Sequence, residues 1–592
     1  MKKRIRFDDS AILSDQIDIY FEGRIKNEAQ LAAQFLTRNP ADLVRSAYVL
    51  WGNDCIHHLD GTFAFVVIDH PAQQIFCARD PSGTYPLYYS FKPNLYFVFG
   101  THINDVLGFE EVSKSIDNQI IAAYLWAAQN HQFYSADTFY EAIKRVEPGF
   151  GLSFTSTNII KKTAWPLHQN KFDYLKTDAD WTACFEEKFK AAVQFQIADY
   201  QNIGSHLSGG LDSSSVSAIA QLVGNGAVIK TVQVHTGQET IDERVFAEAV
   251  AQHSKTVHQM VQPSDQIWEQ LTATTAILGY PHQLVLPPSF HWAASQQAAQ
   301  LGCDVLLTGH DGDTVVGYGN AHVGALLDNQ DWTALGSAIK QLAQKRELSN
   351  LVKNWANLSE NQRIEAFETA FWGNEIVKAI KKKEIWRVTN HLFTASTRFG
   401  VQPWQLWQWQ KNKFGGNGTA TSLPHHFGND SNKTIAENDF KTTHYQEIYC
   451  GRMLEVAEQL THFGRYFGHQ YAHPFYDRQL IELCLAMPEA LKFDEANGRG
   501  PLRRAMRGIL PEPVRTRTLK SYFNAYNHSV SQKMATDALG IFGANHPLWQ
   551  FANRERFGRA CANFAQNPPS LLHFNQVVQL GVWLDTCQQQ RT

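Results

Sequence analysis

The sequence predicts two folds in series. Residues 1–165 read as an α+β module of packed antiparallel strands, and residues 166–592 as an α/β domain with a parallel sheet and a large helical C-terminal part. Three observations carry this expectation. Short β-rich runs broken by turn residues fill the first part, strand-like and helix-like segments alternate from about residue 180, and two glycine-rich turns fall where strands of the second part end.

In the first part the runs are "TFAFVVID" (62–69), "QIFCARD" (74–80), "PLYYSF" (86–91) and "LYFVFGT" (95–101), separated by "DHPAQ", "DPSG" and "KPN". Pro, Gly, Asp and Asn at those breaks supply the backbone angles of tight turns. "SIDNQIIAAYLWAA" (115–128) predicts a helix beside these strands.

Further on, "WTACFEEKFKAAVQFQIA" (181–198) carries apolar residues at helical spacing. The turn "LSGG", the helix "SSSVSAIAQLVG" (213–224) and the extended "VIKTVQVHT" (228–236) follow. "ERVFAEAVAQHS" (243–254) is again helical, and "DVLLTGHDGD" (304–313) is a buried strand entering a turn. Such alternation predicts a parallel sheet covered by helices, with ligands gathering at the carboxyl ends of its strands. Residues 320–445 read as an insertion of long amphipathic helices interrupted by the polar loop 415–432, and 446 to the end as a last helical stretch.

Composition excludes several classes. The chain of 592 residues is 44% hydrophobic and 19% charged, which is the composition of a folded protein. A net charge of −4 gives no electrostatic case for nucleic acid or an anionic membrane surface. No apolar stretch follows the basic start at Met1–Phe7, and runs such as "FAFVVI" are strand-sized, so neither a signal peptide nor a membrane span is expected. Eight cysteines without a CxxC pair fit reduced thiols in a cytoplasmic protein. HExxH and GxxxxGK[ST] motifs are both absent.

The chemistry concentrates in the two turns. In "LSGGLDSSS", Gly209 and Gly210 allow successive backbone N–H groups to face one concavity, and the helix that follows adds its positive end. Hydroxyls of Ser208, Ser213 and Ser214 add donors, so the turn suits pyrophosphate. Asp212 beside phosphate calls for a cation between them. With Asp313, at the end of another strand, it would clamp Mg²⁺ on a triphosphate. An ordinary helix N-cap at a tight turn uses the same residue types, but the spacing SGGLDSS after a strand is far more specific than a lone glycine pattern.

These residues resemble the asparagine synthetase superfamily. "FEGRIKN" (21–27), "LDGTFAFVVID" (59–69) and "ARDPSGTYPLYYS" (78–90) resemble its N-terminal glutaminase-like (Ntn-type) sandwich. "LSGGLDSSS", "LLTGHDGDTVVGYG" (306–319), "HPFYDRQLIE" (473–482) and "LRRAMRGILPEPVRTRTLKSYF" (502–523) resemble its ATP-pyrophosphatase synthetase domain. The resemblance implies ATP and Mg²⁺ as cofactors and attack of a substrate carboxylate on the α-phosphate. An amine then captures the acyl-adenylate, leaving an amide, AMP and pyrophosphate. It places Leu207 and Val234 at the adenine, adds Gly309 to the ATP-binding set, and gives Lys520 the task of neutralising charge in the adenylate and the amide-forming transition state. Arg499 and Arg503 stand as phosphate or adenylate partners. A surface lysine and helix-decorating arginines remain the plainer alternatives.

Three departures bear on the substrate. The glutaminase cysteine expected directly after the initiator methionine is replaced by Lys2, which predicts a degenerate module and an amine from another source. His310 stands where asparagine synthetases carry glutamate and the β-lactam-forming synthetases tyrosine. It is expected to act as the base that deprotonates the nucleophile, or else only to orient the turn. Gln470 and Ala472 replace a glutamate and an arginine. Together these lean towards similarity with the lasso peptide macrolactam cyclases, which adenylate an Asp or Glu side chain and close a ring with the peptide's own N-terminal amine. On that branch the implied partners are a precursor peptide with leader-recognition and protease proteins, and "WQLWQWQ" (404–410) would line room for the peptide or else fill helix core. The alternatives are an ammonia-dependent asparagine synthetase, an amide or β-lactam synthetase acting on a small carboxylate, and, in another class, an inactive scaffolding homologue.

Overall fold

The computed structural model describes residues 1–6, 16–126, 135–165, 169–224, 226–238, 242–282, 287–345, 355–414, 440–518 and 523–589. In the N-terminal part nine strands form two antiparallel sheets: β1 (Lys2–Arg6), β2 (Ile17–Ile25), β3 (Gly61–Asp69), β4 (Gln74–Arg79), β5 (Tyr88–Lys92), β6 (Tyr96–Gly100), β7 (Lys144–Arg145), β8 (Phe150–Phe154) and β9 (Ile159–Ala164). Their orders are β1-β6-β5-β7 and β2-β3-β4-β8-β9.

The unbroken run "FAFVVI" in β3 is explained by burial on both faces. Phe63, Phe65 and Val67 pack on Leu43, Val44, Ala47 and Tyr48 of the helix Pro40–Trp51. Ala64, Val66 and Ile68 meet Leu87, Tyr89, Phe97 and Phe99 of the facing sheet. Period-2 alternation makes those two sets point opposite ways, so a strand buried on both sides shows no polar half. The covering helix is started by Asn39, whose side chain accepts from the N–H groups of Ala41 and Asp42. Replacing such a cap by alanine costs about 1 kcal/mol. The predicted helix at 115–128 is present as Asn118–Trp126, and its last two residues lie outside the described ones.

The second part holds a five-stranded parallel sheet of β10 (Ile203–His206), β11 (Lys230–Val234), β12 (Val257–Val261), β13 (Val305–Leu307) and β14 (Gln470–Ala472), in the order β12-β11-β10-β13-β14. Ile203 pairs with Val305 and Ser205 with Leu307. The chain runs outward from β10 to β12 and then returns to the other side of β10, so the strand order reverses between β10 and β13. A crevice opens at that switch point, outside the carboxyl ends of the strands. The helix Asp178–Ile197 leads in through a capping box of Thr177 and Asp180. Two sequence expectations need correction here. β12 was not anticipated, and the stretch after 446 is not wholly helical, because Gln470–Ala472 adds the edge strand β14. A three-residue strand is too short to show a period.

The insertion carries the helices Asn320–Asp328, Trp332–Lys345, Glu360–Lys381, Ile385–Phe399, Pro403–Phe414 and Phe440–Ile448, while the polar loop 415–432 lies outside the described residues. Leu335, Ile339, Phe367, Phe371 and Trp372 form its own core. The aromatics of "WQLWQWQ" divide: Leu406 and Trp409 are buried, whereas Trp404 and Trp407 are 62% and 63% exposed. The N-terminal module is locked to the parallel-sheet domain by charge. Arg79 and Glu458, both fully buried, meet at 2.7 Å, and Arg145 reaches Glu455 at 3.1 Å and Glu458 at 3.3 Å. No helix among the described residues is long and apolar enough to cross a membrane.

Candidate functional site

The first turn leaves β10 at His206 and enters the helix Leu211–Val223. Gly209 has φ of +82°, and a methyl group there would lie 2.7 Å from the Glu243 carbonyl oxygen and 2.9 Å from the Ala247 nitrogen. Both the backbone angle and the close approach require glycine. The serines tie the turn together: the Ser208 N–H donates to Ser213 Oγ at 3.1 Å, the two hydroxyls are 2.9 Å apart, and the Gly210 N–H donates to Ser208 Oγ at 3.2 Å. Ser214 Oγ is buried without a hydrogen-bond partner. Leu207 is fully buried in the core, with its N–H given to the Val232 carbonyl, and Val234 ends the neighbouring β11.

The second turn leaves β13 and packs directly on the first. A methyl on Gly309 would fall 2.5 Å from the Ser213 nitrogen, and one on Gly312 would fall 2.8 Å from Asp212 Cγ. The two glycines therefore let the strand ends touch and bring Asp313, in the first turn of the helix Gly312–Val316, close to Asp212. Arg499, in the left-handed region at φ +54°, donates from Nη1 to Asp212 Oδ2 at 2.6 Å and lies over the Tyr318 ring. Burial opposes the guanidinium charge, but Asp212, Tyr318 and Asp313 outweigh it and hold its pKa above the ordinary arginine value. A cation thus already stands against the two carboxylates.

That arrangement was tested against ATP and Mg²⁺. A concave turn of backbone N–H groups, two serine hydroxyls and the orphaned Ser214 Oγ is a donor set for phosphate oxygens. No group of three or more potential metal ligands occurs among the described residues. Two carboxylates fit Mg²⁺ nonetheless, because this ion takes one or two carboxylates and completes its shell with substrate phosphates and water. The residues present fit the group.

His310 follows on the same turn. Its Nε2 lies 3.3 Å from Asp311 Oδ2, and Asp311, itself buried at φ +57°, also accepts the Tyr476 hydroxyl. The buried carboxylate keeps the Tyr476 phenol protonated, since burial first and the adjacent charge second raise its pKa. Asp311 and Tyr476 were not singled out from the sequence, although "HDGD" shows the carboxylate. Its orientation becomes apparent only when Tyr476 arrives from after β14. Arg503 is spread over four backbone carbonyls, of Asn497, Gly498, Arg515 and Arg517, so it shapes the C-terminal loop and not a phosphate. Burial and the nearby Arg499 charge lower its pKa to about 10.

Arg517, taken in the sequence as one more basic neighbour, donates to the Gly209 carbonyl at 3.3 Å and pairs with buried Glu243 at 2.8 Å. It fastens the C-terminal segment onto the first turn. Lys520 lies outside the described residues. In the N-terminal module the cysteines are Cys55 and Cys77, both fully buried. Burial pushes the Cys55 thiol up to about 12 and the Cys77 thiol well above its usual range, the opposite of an activated nucleophile.

The asparagine synthase family model matches residues 185–566, and a glutamine amidotransferase domain model matches residues 8–165. Among curated relatives, asparagine synthetase [glutamine-hydrolyzing] 3 of Bacillus subtilis is 27% identical over 217 residues, covering 35% of this chain and 34% of the relative. A putative asparagine synthetase of Methanocaldococcus jannaschii is 25% identical over 329 residues, covering 54% and 62%. Asparagine synthetase 1 of B. subtilis is 23% identical over 577 residues, covering 88% and 79%. The first two matches thus span about a third and less than two thirds of those relatives' own lengths.

Proposed function

This chain belongs to the asparagine synthase family, and we propose that it is an ATP-dependent carbon–nitrogen ligase, releasing AMP and pyrophosphate as it joins a carboxylate to an amine. One observation carries the reading: two strand-end turns, clasped through Gly309 and Gly312, set Asp212 and Asp313 beside a donor-rich phosphate turn. The Ser208–Gly210 backbone, Ser213 and Ser214 bind the pyrophosphate oxygens. Mg²⁺ held by Asp212 and Asp313 would supply charge neutralisation on the triphosphate. Arg499 then pairs with the charge that develops on the phosphates, and Lys520 with the adenylate. Asp311 orients the His310 ring, which takes a proton from the attacking amine.

The finer proposal is that carboxylate and amine belong to one peptide, closed into a macrolactam. Three features support it. His310, Gln470 and Ala472 replace the residues that asparagine synthetases carry at those positions. Cys55 and Cys77 are too deeply buried and too weakly acidic to release ammonia from glutamine. Exposed Trp404 and Trp407 offer stacking surfaces on the inserted helices. Ammonia-dependent amidation of a small carboxylate such as aspartate is the second reading, favoured by the named relatives.

The test is direct. Purified protein with Mg·ATP receives either aspartate plus ammonium, or a synthetic peptide with a free N-terminus and an internal Asp or Glu. Mass spectrometry follows AMP and products. Peptide lighter by one water with stoichiometric AMP is the expected result. Asparagine with AMP would replace the macrolactam reading by the second, and AMP in neither mixture would count against a ligase acting on either class.

A further inference from the structure

Three neighbouring strands of the parallel sheet end in histidine: His206 closes β10, His310 follows β13, and His473 follows β14. His291, from the helix Pro288–Gln300, lies within electrostatic reach of His206 and His310. The His310 and His473 rings are 5.8 Å apart, and the His206 ring meets Tyr471, which in turn stacks on His473. Electrostatic coupling links His291 to both His206 and His310. His206 immediately precedes the phosphate turn, and His310 lies on the second turn, whose Gly309 packs on Ser213.

Their ring nitrogens are the unusual feature. Both nitrogens of His473, Nε2 of His206 and Nδ1 of His291 are buried with no hydrogen-bond partner among the described residues. Each such group costs stability, and a cluster of them calls for a polar occupant. Burial keeps the rings neutral: His206 is lowered to about 4 and His291 to about 3, each chiefly by loss of water. Neutral imidazoles accept as well as donate. An independent observation lies next to them. A small cavity of about 10 Å³ opens between the two modules, lined by Arg24, Thr62 and Thr84 on one side and by Gln196, Gln470 and His473 on the other. Its volume is at the lower limit of what a single water molecule needs.

We propose that His206, His291 and His473, together with His310, form the pocket of the amine nucleophile, and that its protons leave through His473 and the single-water cavity between the modules. The proposal rests on the ligase reading above and assigns the nucleophile's binding and deprotonation within that site. The balance is simple. An ammonium group loses one proton to the His310 nitrogen that is not turned to Asp311. The freed lone pair attacks the acyl carbon, the C–N bond forms, and the C–O bond to AMP breaks with its electron pair. The nitrogen then loses a second proton, so two pass outward for each amide made. The groups facing this path are Asp311 and Tyr476 at His310, His282 and His469 at its flanks, and Arg24, Tyr85 and Tyr200 at the cavity. Arg24 is paired with Asp199 at 2.5 Å, so it sets no unbalanced positive charge across the exit.

The test separates nucleophiles by their need for a base. Full-length protein is given Mg·ATP, either L-aspartate or an N-acetylated peptide with an internal Glu, and either methylamine or hydroxylamine. Methylamine is an ammonium ion at pH 7 and must be deprotonated. Hydroxylamine is already neutral. His473→Phe and the more conservative His473→Gln are expected to lower methylamide formation about a hundredfold, the lower end of the range for a base's contribution. Hydroxamate formation should fall at least about tenfold less than methylamide formation, because hydroxylamine arrives neutral and needs the pocket but not the base. An equal fall with both nucleophiles, or unchanged methylamide formation, overturns the proposal. Failure of the wild type to exchange pyrophosphate with either carboxylate overturns the ligase reading, and the inference with it. A crystal structure of the wild type should show an ordered water between His473 and Gln470, and a dry cavity there also overturns the relay.

Discussion

Arg79 in the N-terminal module and His473 in the parallel-sheet domain are equally inaccessible, yet they stand in opposite surroundings. Arg79 donates to the carbonyls of Val146 and Gly83 and to the Glu458 carboxylate. His473, almost completely buried, has neither ring nitrogen matched. The same contrast extends around each. Asp80 accepts from Phe63, Ser82 N–H and the Ser82 hydroxyl, whereas Ser214, His206 and His291 keep polar atoms in reserve. Buried polar atoms that are satisfied hold a structure together. Buried polar atoms that are unsatisfied cost stability and are retained where something else binds. Unmatched atoms are not confined to the crevice, since Thr84 Oγ1, Thr163 Oγ1 and Trp165 Nε1 of the first module are also buried without a partner among the described residues; what marks the crevice is that its unmatched atoms are clustered histidine nitrogens.

The largest effect that would break this comparison comes from the carboxylates. Asp212→Asn and Asp313→Asn are expected to lower AMP formation by about a hundredfold to a thousandfold, the scale of losing one preorganised electrostatic partner. The fold should survive, because asparagine at 212 still accepts from Arg499 and in each variant the other aspartate keeps a negative charge near that guanidinium. Far-ultraviolet circular dichroism beside an AMP assay checks both halves, and AMP release near the wild-type rate would remove Asp212 from the site. Next in size is the interface. Glu458→Gln removes the carboxylate that faces buried Arg79 and leaves Arg145 only Glu455, and breaking a buried pair from one side costs about 3–5 kcal/mol. Denaturant unfolding should show that loss, together with faster proteolysis between the modules. A change below about 1 kcal/mol is what an exposed pair gives and would mean that the modules are held by apolar contact alone.

The sequence made the phosphate turn readable because glycine, serine and aspartate there act locally, within seven residues of one another. The same holds for Asp313 and for the β-rich first module. It could not reveal the pairing of Arg499 with Asp212, separated by 287 positions, or of Arg517 with Glu243, separated by 274, because only the return of the chain brings them together. The histidine pocket was hidden for a related reason. Its members come from β10, a helix, the turn after β13 and the end of β14, and β14 is itself too short to leave a pattern. Arg503 shows the converse case. Its residue type left a phosphate partner and a plain helix arginine both open, and the structure shows its guanidinium engaged by four backbone carbonyls.

Stability against pH gives a smaller effect that sharpens the contrast. His282 is buried with neither ring nitrogen matched among the described residues, and desolvation lowers it to about 3, while an unfolded imidazole titrates near 6.5. Between those values the unfolded chain binds the extra proton, so stability rises with pH across the window and falls on acidification. His206 and His291 act in the same direction, and Asp80, raised to about 6 by burial, acts against them. His282→Gln should flatten the slope by up to about 1.4 kcal/mol per pH unit between roughly pH 6 and 4. Urea unfolding at pH 7, 6 and 5 measures it. An unchanged slope would mean that the ring is protonated in the folded protein and finds a partner there.

The smallest effect concerns the thiols of the first module. A glutaminase needs an accessible thiolate, but Cys55 lies on the covered side of its sheet against Ile56 and Leu59, and Cys77 sits between the two sheets with Val66 and Phe97. Neither can meet a reagent or a glutamine side chain without unfolding, and both thiols remain protonated at neutral pH. Brief treatment with iodoacetamide under native conditions should therefore label neither residue, as read by peptide mass mapping. Glutamine should add nothing to the rate that ammonium or an amine supports. Labelling of Cys55 or Cys77 coupled to loss of glutamine-dependent turnover would return catalysis to the first module and erase the division of labour between the two. If both stay unlabelled, Arg79 and Arg145 of that module serve to seat it on Glu458, and Thr62 and Thr84 to wall the cavity beside His473.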